Sequence, residues 1–178
     1  MAWGDLKPDG IRRIPVALKL CEFFLKNHQN ANFPEPVNRT GDLAGVTITA
    51  VPVMMMYDDA REYVQKTISG SYEIIPHYYA GMRSTWQIID DNCSWIMKNG
   101  KTGEKTIAVA AIISDNIGIP MFYNKTAFQD AARLTAYILH VHKLPASAVT
   151  FSKDCPEFIT SRRSEFAKLV SAQYKKLR

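Results

Sequence analysis

The chain has 178 residues, of which 47% are hydrophobic and 22% charged, with a formal net charge of +5. That length suits one ordinary domain burying about two-thirds of its unfolded surface, and the composition excludes disordered, fibrous and disulfide-stapled classes. The positive excess favours anionic partners such as nucleic acid or cell-wall polymers, but by itself names none.

Residues 1–10 are turn-rich, with Lys7-Pro8-Asp9-Gly10 reading as a turn. Ile14, Ala17, Leu18, Cys21, Phe24 and Leu25 then recur at helical spacing, which predicts an amphipathic helix to about Asn27. Arg12 and Arg13 stand at its start, where the helix dipole disfavours cations, and read as a solvated or partner-facing edge. Residues 29–45 are polar, hold Pro34 and Pro36, and read as a linker or an arm laid over the domain. The opening residues show no basic segment followed by an apolar core, so no signal peptide is read and the expected location is the cytoplasm of the producing cell. No apolar run approaches a membrane span.

From Val46 the pattern becomes β-branched, and residues 46–53 predict a buried strand bounded by glycine and proline. Asp58 and Asp59 supply acid for a helix N-terminus, with Ala60, Tyr63, Val64 and Thr67 on its apolar side and a stop at 68–71. Runs at 74–79 and 85–89 predict two strands joined through Gly81 as a hairpin. Residues 106–114 are nearly uninterrupted apolar, as a central strand covered on both faces requires. Helices are predicted over 126–143 and 162–177. His140 and His142 are two apart, which on a helix separates their directions by about 200°, so they do not grip one ion. The resulting fold class is α/β, a central mixed sheet flanked by helices.

Cys21, Cys93 and Cys155 are odd in number and form no CxxC pair, so they read as free thiols or a single ligand. Lys153 stands two residues before Cys155, and a thiol beside a cation can ionise and bind a soft metal. The alternative is a buried cysteine packed beside a solvated charge.

Several short motifs occur in a telling order: His77-Tyr78-Tyr79, Gly81, Trp86-Gln87-Ile88-Ile89, Ser94-Trp95, Thr106-Ile107-Ala108-Val109-Ala110, then Leu144-Pro145, Val149 and Lys153-Asp154-Cys155-Pro156. From about Val46 to Pro156 this series resembles the zinc-dependent N-acetylmuramoyl-L-alanine amidases of phages and bacteria, whose fold peptidoglycan-recognition proteins share. The resemblance implies an amidase-like domain over 46–178, preceded by an N-terminal helix and proline-containing arm over 1–45. In that family zinc held by two histidines and a cysteine or acid activates water against an amide, which needs three protein ligands and an open position.

Here the first histidine position falls on Ala50 and the glutamate position on Ala110. The second histidine is missing from a shortened Thr150-Phe151-Ser152 loop, and Ile96 follows the tryptophan where a histidine often stands. What the resemblance leaves is a vestigial site of Cys155 and Lys153, with His77, Tyr78, Trp86, Gln87 and Trp95 as candidates for the substrate groove. No catalytic residue and no zinc or other cofactor is expected.

Three readings follow from the resemblance. One is a pseudoenzyme, phage-encoded and virion- or wall-associated, binding peptidoglycan fragments through the former groove. Another is a virion or lysis-associated structural protein that contacts a protein partner through residues 1–45, its groove plugged by Phe151 and Met54-Met55-Met56. The third is a divergent active amidase with a metal site rebuilt from Cys155 and Asp154 or Asp115. Nucleic-acid binding rests on net charge alone.

Overall fold

A computed structural model of the protein describes residues 5–6, 12–13, 38–54, 59–71, 73–97, 102–103 and 105–178. In chain order the elements are β1 (Asp5–Leu6), β2 (Arg12–Arg13), β3 (Gly45–Val51), α1 (Asp59–Ile68), β4 (Ile74–Ile75), β5 (Tyr78–Ala80), β6 (Thr85–Gln87), β7 (Trp95–Met97), β8 (Thr102–Gly103) and β9 (Thr106–Ile112). They continue with α2 (Met121–Val141), β10 (Val149–Phe151), α3 (Glu157–Thr160) and α4 (Arg163–Lys176). The helix expected over 14–27, the arm up to residue 37, and Met55, Met56 and Asp58 lie outside the described residues.

A seven-stranded sheet runs in the order β1-β2-β6-β5-β9-β3-β10, and a three-stranded sheet in the order β4-β7-β8. β5, β9, β3 and β10 are mutually parallel, while β6 is antiparallel to β5. The apolar run at 106–114 forms the central strand its composition predicts, with the strand itself ending at Ile112. Ile107, Val109 and Ala111 enter one core, whereas Ala110 and Ile112 enter the other. Burying each of its large aliphatic side chains contributes roughly 1.5–3 kcal/mol.

Helices α2 and α4 cover the first face of the sheet. Phe128 on α2 meets Phe166 on α4 edge-on at 5.1 Å and Phe158 at 5.8 Å, and Phe151 of β10 meets Phe166 at 5.5 Å. These edge-to-face ring contacts tie the C-terminal elements to the sheet. The second face carries α1 against β5 and β6. The Tyr123 hydroxyl of α2 donates to the buried Asp59 carboxylate at the start of α1, at 2.8 Å, linking the two layers.

Four sequence expectations are revised. Arg12 and Arg13 form β2, parallel to β6 at Trp86 and Gln87, rather than the start of a helix. This pairing engages backbone groups that β6 would otherwise leave open at an edge. The strand expected over 74–79 divides: Ile74 and Ile75 pair with Met97 and Ile96 in the small sheet, and Tyr78 resumes in the large one. Pro76 explains the break, because it has no N–H to donate to a ladder. The hairpin does form through Gly81, whose N–H donates to the Ser84 carbonyl at 3.0 Å. Helix α2 begins at Met121, five residues before the expected 126; Met121 and Phe122 are exposed, so its first turn does not show the amphipathic pattern. His142 lies past the end of α2 as its C-cap, and its ring pairs with Asp91 at 2.9 Å; His140 meets the Tyr174 ring instead.

Candidate functional site

The end of β3, helix α1, strand β7 and the turn after β10 enclose a cleft of about 670 Å³. Thr49, Ala50, Val51 and Pro52 border it from β3, Tyr63 and Lys66 from α1, Tyr79 from β5, Trp95 and Met97 from β7, and Ser152 and Asp154 from the turn. Helical spacing of three places Tyr63 and Lys66 on one face of α1. The Tyr63 ring stacks on Tyr79 with centroids 5.3 Å apart, and its hydroxyl donates to the Pro52 carbonyl. Burial, then the proximity of Tyr79 and Asp59, pushes the Tyr63 phenol up, and burial does the same for Tyr79. Both are neutral hydrogen-bonding groups rather than bases near neutral pH. The Lys66 ammonium sits against the Met54 thioether and 5.8 Å from the centre of the Tyr63 ring.

Parallel register pairs Thr49 with Ala110 and Ala50 with Ala111. Side chains alternate along a strand, so Thr49 shares a face with Ala110, while Ala50 points to the other. Ala50 packs against the core beneath α2, and Ala110 is fully buried in the core beneath α1. The two positions read as lost, the first histidine's and the glutamate's, therefore lie on opposite faces, and the Thr49 hydroxyl is the group that shares the cleft face with Ala110. Ile96 is buried core, paired with Ile75.

Of the five groove candidates, Trp95 alone borders the cleft. His77 is fully buried: its Nδ1 accepts the Ala108 N–H at 3.0 Å, which leaves Nε2 to donate to the Cys93 carbonyl at 2.9 Å. Burial depresses its pKa to about 4. Tyr78 turns into the larger core and donates to Asp91 at 2.9 Å, and Gln87 donates to the same carboxylate at 3.1 Å. Trp86 is buried with its indole N–H on the Ser84 hydroxyl. Strand composition cannot separate these residues from Trp95, since a large aromatic suits the core and a binding wall equally.

The Cys155 thiol is buried and donates to the Ile48 carbonyl at 3.4 Å. Burial raises its pKa, against smaller effects of Ser152 and Arg163, so the thiolate expected beside Lys153 does not form readily. Lys153 is exposed in the turn and does not border the cleft; Lys66 does. Asp115 spends both carboxylate oxygens on the N–H groups of Glu157 and Phe158 at the start of α3. Phe151 packs on Phe166, away from the cleft, and so does not plug it. Lys66, Tyr63, Tyr79, Thr49 and Ser152 were not read as site residues from the sequence; the spacing of Tyr63 and Lys66 on α1 was the one signal for two of them.

The zinc that the fold family implies needs three converging donors. No group of three His, Cys, Asp or Glu is placed to hold a metal ion among the described residues. Both His77 nitrogens are engaged, the Cys155 thiol is turned into the core, and threonine and alanine occupy the strand positions. These residues do not fit the ion.

The central mixed sheet, its flanking helices and the cleft at the strand ends define an amidase-like α/β fold. The chain is similar in structure to the catalytic domain of XlyA, with a TM-score of 0.63 and 15% identity, covering 79% of this chain and 93% of that one. It is similar to the catalytic domain of PlyG at TM-score 0.58 and 18% identity, covering 76% and 84%. A Staphylococcus aureus hydrolase, AmiA, solved in complex with its ligand, matches at TM-score 0.59 and 12% identity, covering 88% and 90%. No protein-family model matches the sequence and no curated protein matches it. No helix among the described residues is long and apolar enough to cross a membrane.

Proposed function

We propose that this protein binds cell-wall peptidoglycan through the cleft and does not hydrolyse it. The observation that carries the reading is the combination of a cleft of about 670 Å³ with a strand pair, Thr49 and Ala110, that has no metal donor. A methyl group offers zinc no electron pair, and a lone threonine hydroxyl is a poor substitute for imidazole. The remaining wall suits a mixed polar and apolar polymer: stacked Tyr63 and Tyr79, Trp95, the Lys66 cation, and the acids Glu73 and Asp154. Aromatic rings supply contact area at little entropic cost, and the charges orient a ligand with both signs.

The test is a pulldown of the full chain on purified cell walls at low salt, with metal analysis and an assay for amide cleavage on the same preparation. Retention on walls, without stoichiometric zinc and without cleavage above background, is expected. Failure to bind at low salt refutes the binding role, and stoichiometric zinc or cleavage refutes the inactive one.

A further inference from the structure

We propose that the sheet surface beside the cleft, with Trp95 as its wall and Thr47, Thr106 and Thr150 as its floor, binds a neutral saccharide, the glycan of the wall polymer rather than its peptide. The proposal rests on the cell-wall reading and deepens it.

Trp95 of β7 stands opposite Gly103 of β8. A Cβ added at Gly103 would fall 1.8 Å from the indole Nε1 and 1.9 Å from Cε2, so the ring lies directly on the glycine backbone. Its N–H donates to Thr106 Oγ1 at 3.3 Å, which fixes its rotation in plane. The ring is thereby seated on β8 and packs against the core beneath α1, and its half-exposed remainder borders the cleft. A rigid indole at a cleft wall offers an electron-rich ring to polarised C–H groups, such as those on the apolar side of a pyranose.

The floor is a row of hydroxyls across three parallel strands. Thr47 Oγ1 donates to Thr106 Oγ1 at 2.8 Å and lies 3.0 Å from Thr150 Oγ1. Thr150 is exposed, and Thr47 and Thr106 are half-buried. Thr106 accepts from both Thr47 and Trp95, so its lone pairs are used while its own proton has no acceptor among the described residues. Alternation puts Thr49 and Ser152 on the same face, continuing the hydroxyls into the cleft. Strands stand about 4.8 Å apart, close to the length of one sugar ring. Uncharged groups that both donate and accept match sugar hydroxyls, which do the same; the row carries no charge for a peptide carboxylate or amine. Helix α1 packs on β5 and β6, whereas this row lies on β9, β3 and β10.

Calorimetric titration of the full chain with a β-1,4-linked N-acetylglucosamine tetrasaccharide, beside the wall pulldown, tests the proposal. Saturable binding is expected, weakened about tenfold or more by Trp95→Ala and by the paired Thr47→Val and Thr150→Val, which keep side-chain shape and remove hydroxyls. Gly103→Val is expected to weaken binding similarly by displacing the indole without touching the sugar. Trp95→Phe, which removes only the N–H and part of the ring, serves if Trp95→Ala does not fold. Wall binding with no tetrasaccharide binding, or tetrasaccharide binding indifferent to these variants, overturns the saccharide proposal and leaves the cell-wall reading standing. Loss of both kinds of binding in the unmodified chain overturns both.

Discussion

His77 makes a sharp test of whether a histidine in this fold serves a site or the core. Buried with both ring nitrogens engaged, it remains neutral in the folded protein down to about pH 4, whereas an unfolded chain protonates it below about 6.5. Between those values the unfolded state binds more protons, so stability is full above about pH 6.5 and is lost as pH falls toward about 4. At about 1.4 kcal/mol per pH unit the whole displacement amounts to roughly 3 kcal/mol, most of it spent between about pH 7.5 and about pH 4.5. Urea unfolding across that range, on the unmodified chain and on His77→Gln, isolates the contribution. The variant is expected to be less stable at neutral pH, because glutamine reproduces the two hydrogen bonds imperfectly, yet to lose roughly 2–3 kcal/mol less on acidification. Asp91 does not confuse the window. Burial works to raise its carboxyl, but the hydrogen bonds from His142 and the Tyr78 hydroxyl outweigh it and hold it below its ordinary value, so its contribution is lost only at lower pH. Parallel decline of the two proteins between about pH 7.5 and about pH 4.5 would refute the buried, neutral assignment.

Three further outcomes are expected. Tyr123→Phe removes the hydroxyl that donates to buried Asp59, and should cost about 1.5–3 kcal/mol in denaturant unfolding with little change in slope. Cys155, its thiol raised by burial and bonded to Ile48, should resist a thiol reagent in the native protein and react on unfolding, as mapped by mass spectrometry; rapid native labelling would contradict its placement. Lys66→Ala should weaken retention on cell walls about fivefold, whereas Lys153→Ala should leave it within about twofold, because Lys66 alone of the two borders the cleft.

Much of the fold was legible because it depends on local pattern. The apolar run at 106–112 marked the central strand, Gly81 the hairpin, and the stripe through Phe166 and Val170 the last helix. Boundaries failed where a single residue interrupts a pattern. Pro76 split one strand into two sheets, and exposed Met121 and Phe122 hid the first turn of α2. The site was less legible for a geometric reason. Period-two alternation makes a one-residue difference decide which face a side chain occupies, so Ala50 and Thr49 exchange roles once β3 is in register with β9.

The sequence by itself determined the class of fold and the absence of histidines from the loop before Cys155, since both are matters of composition and order. Only the tertiary structure decided which side chains meet. It turned Cys155 and Phe151 into one core, engaged both nitrogens of His77, and left Trp95 against Gly103 at the edge of the cleft. Burial and hydrogen bonding depend on neighbours brought together from distant parts of the chain, here β3, β7, β9 and β10, and no local spacing specifies them.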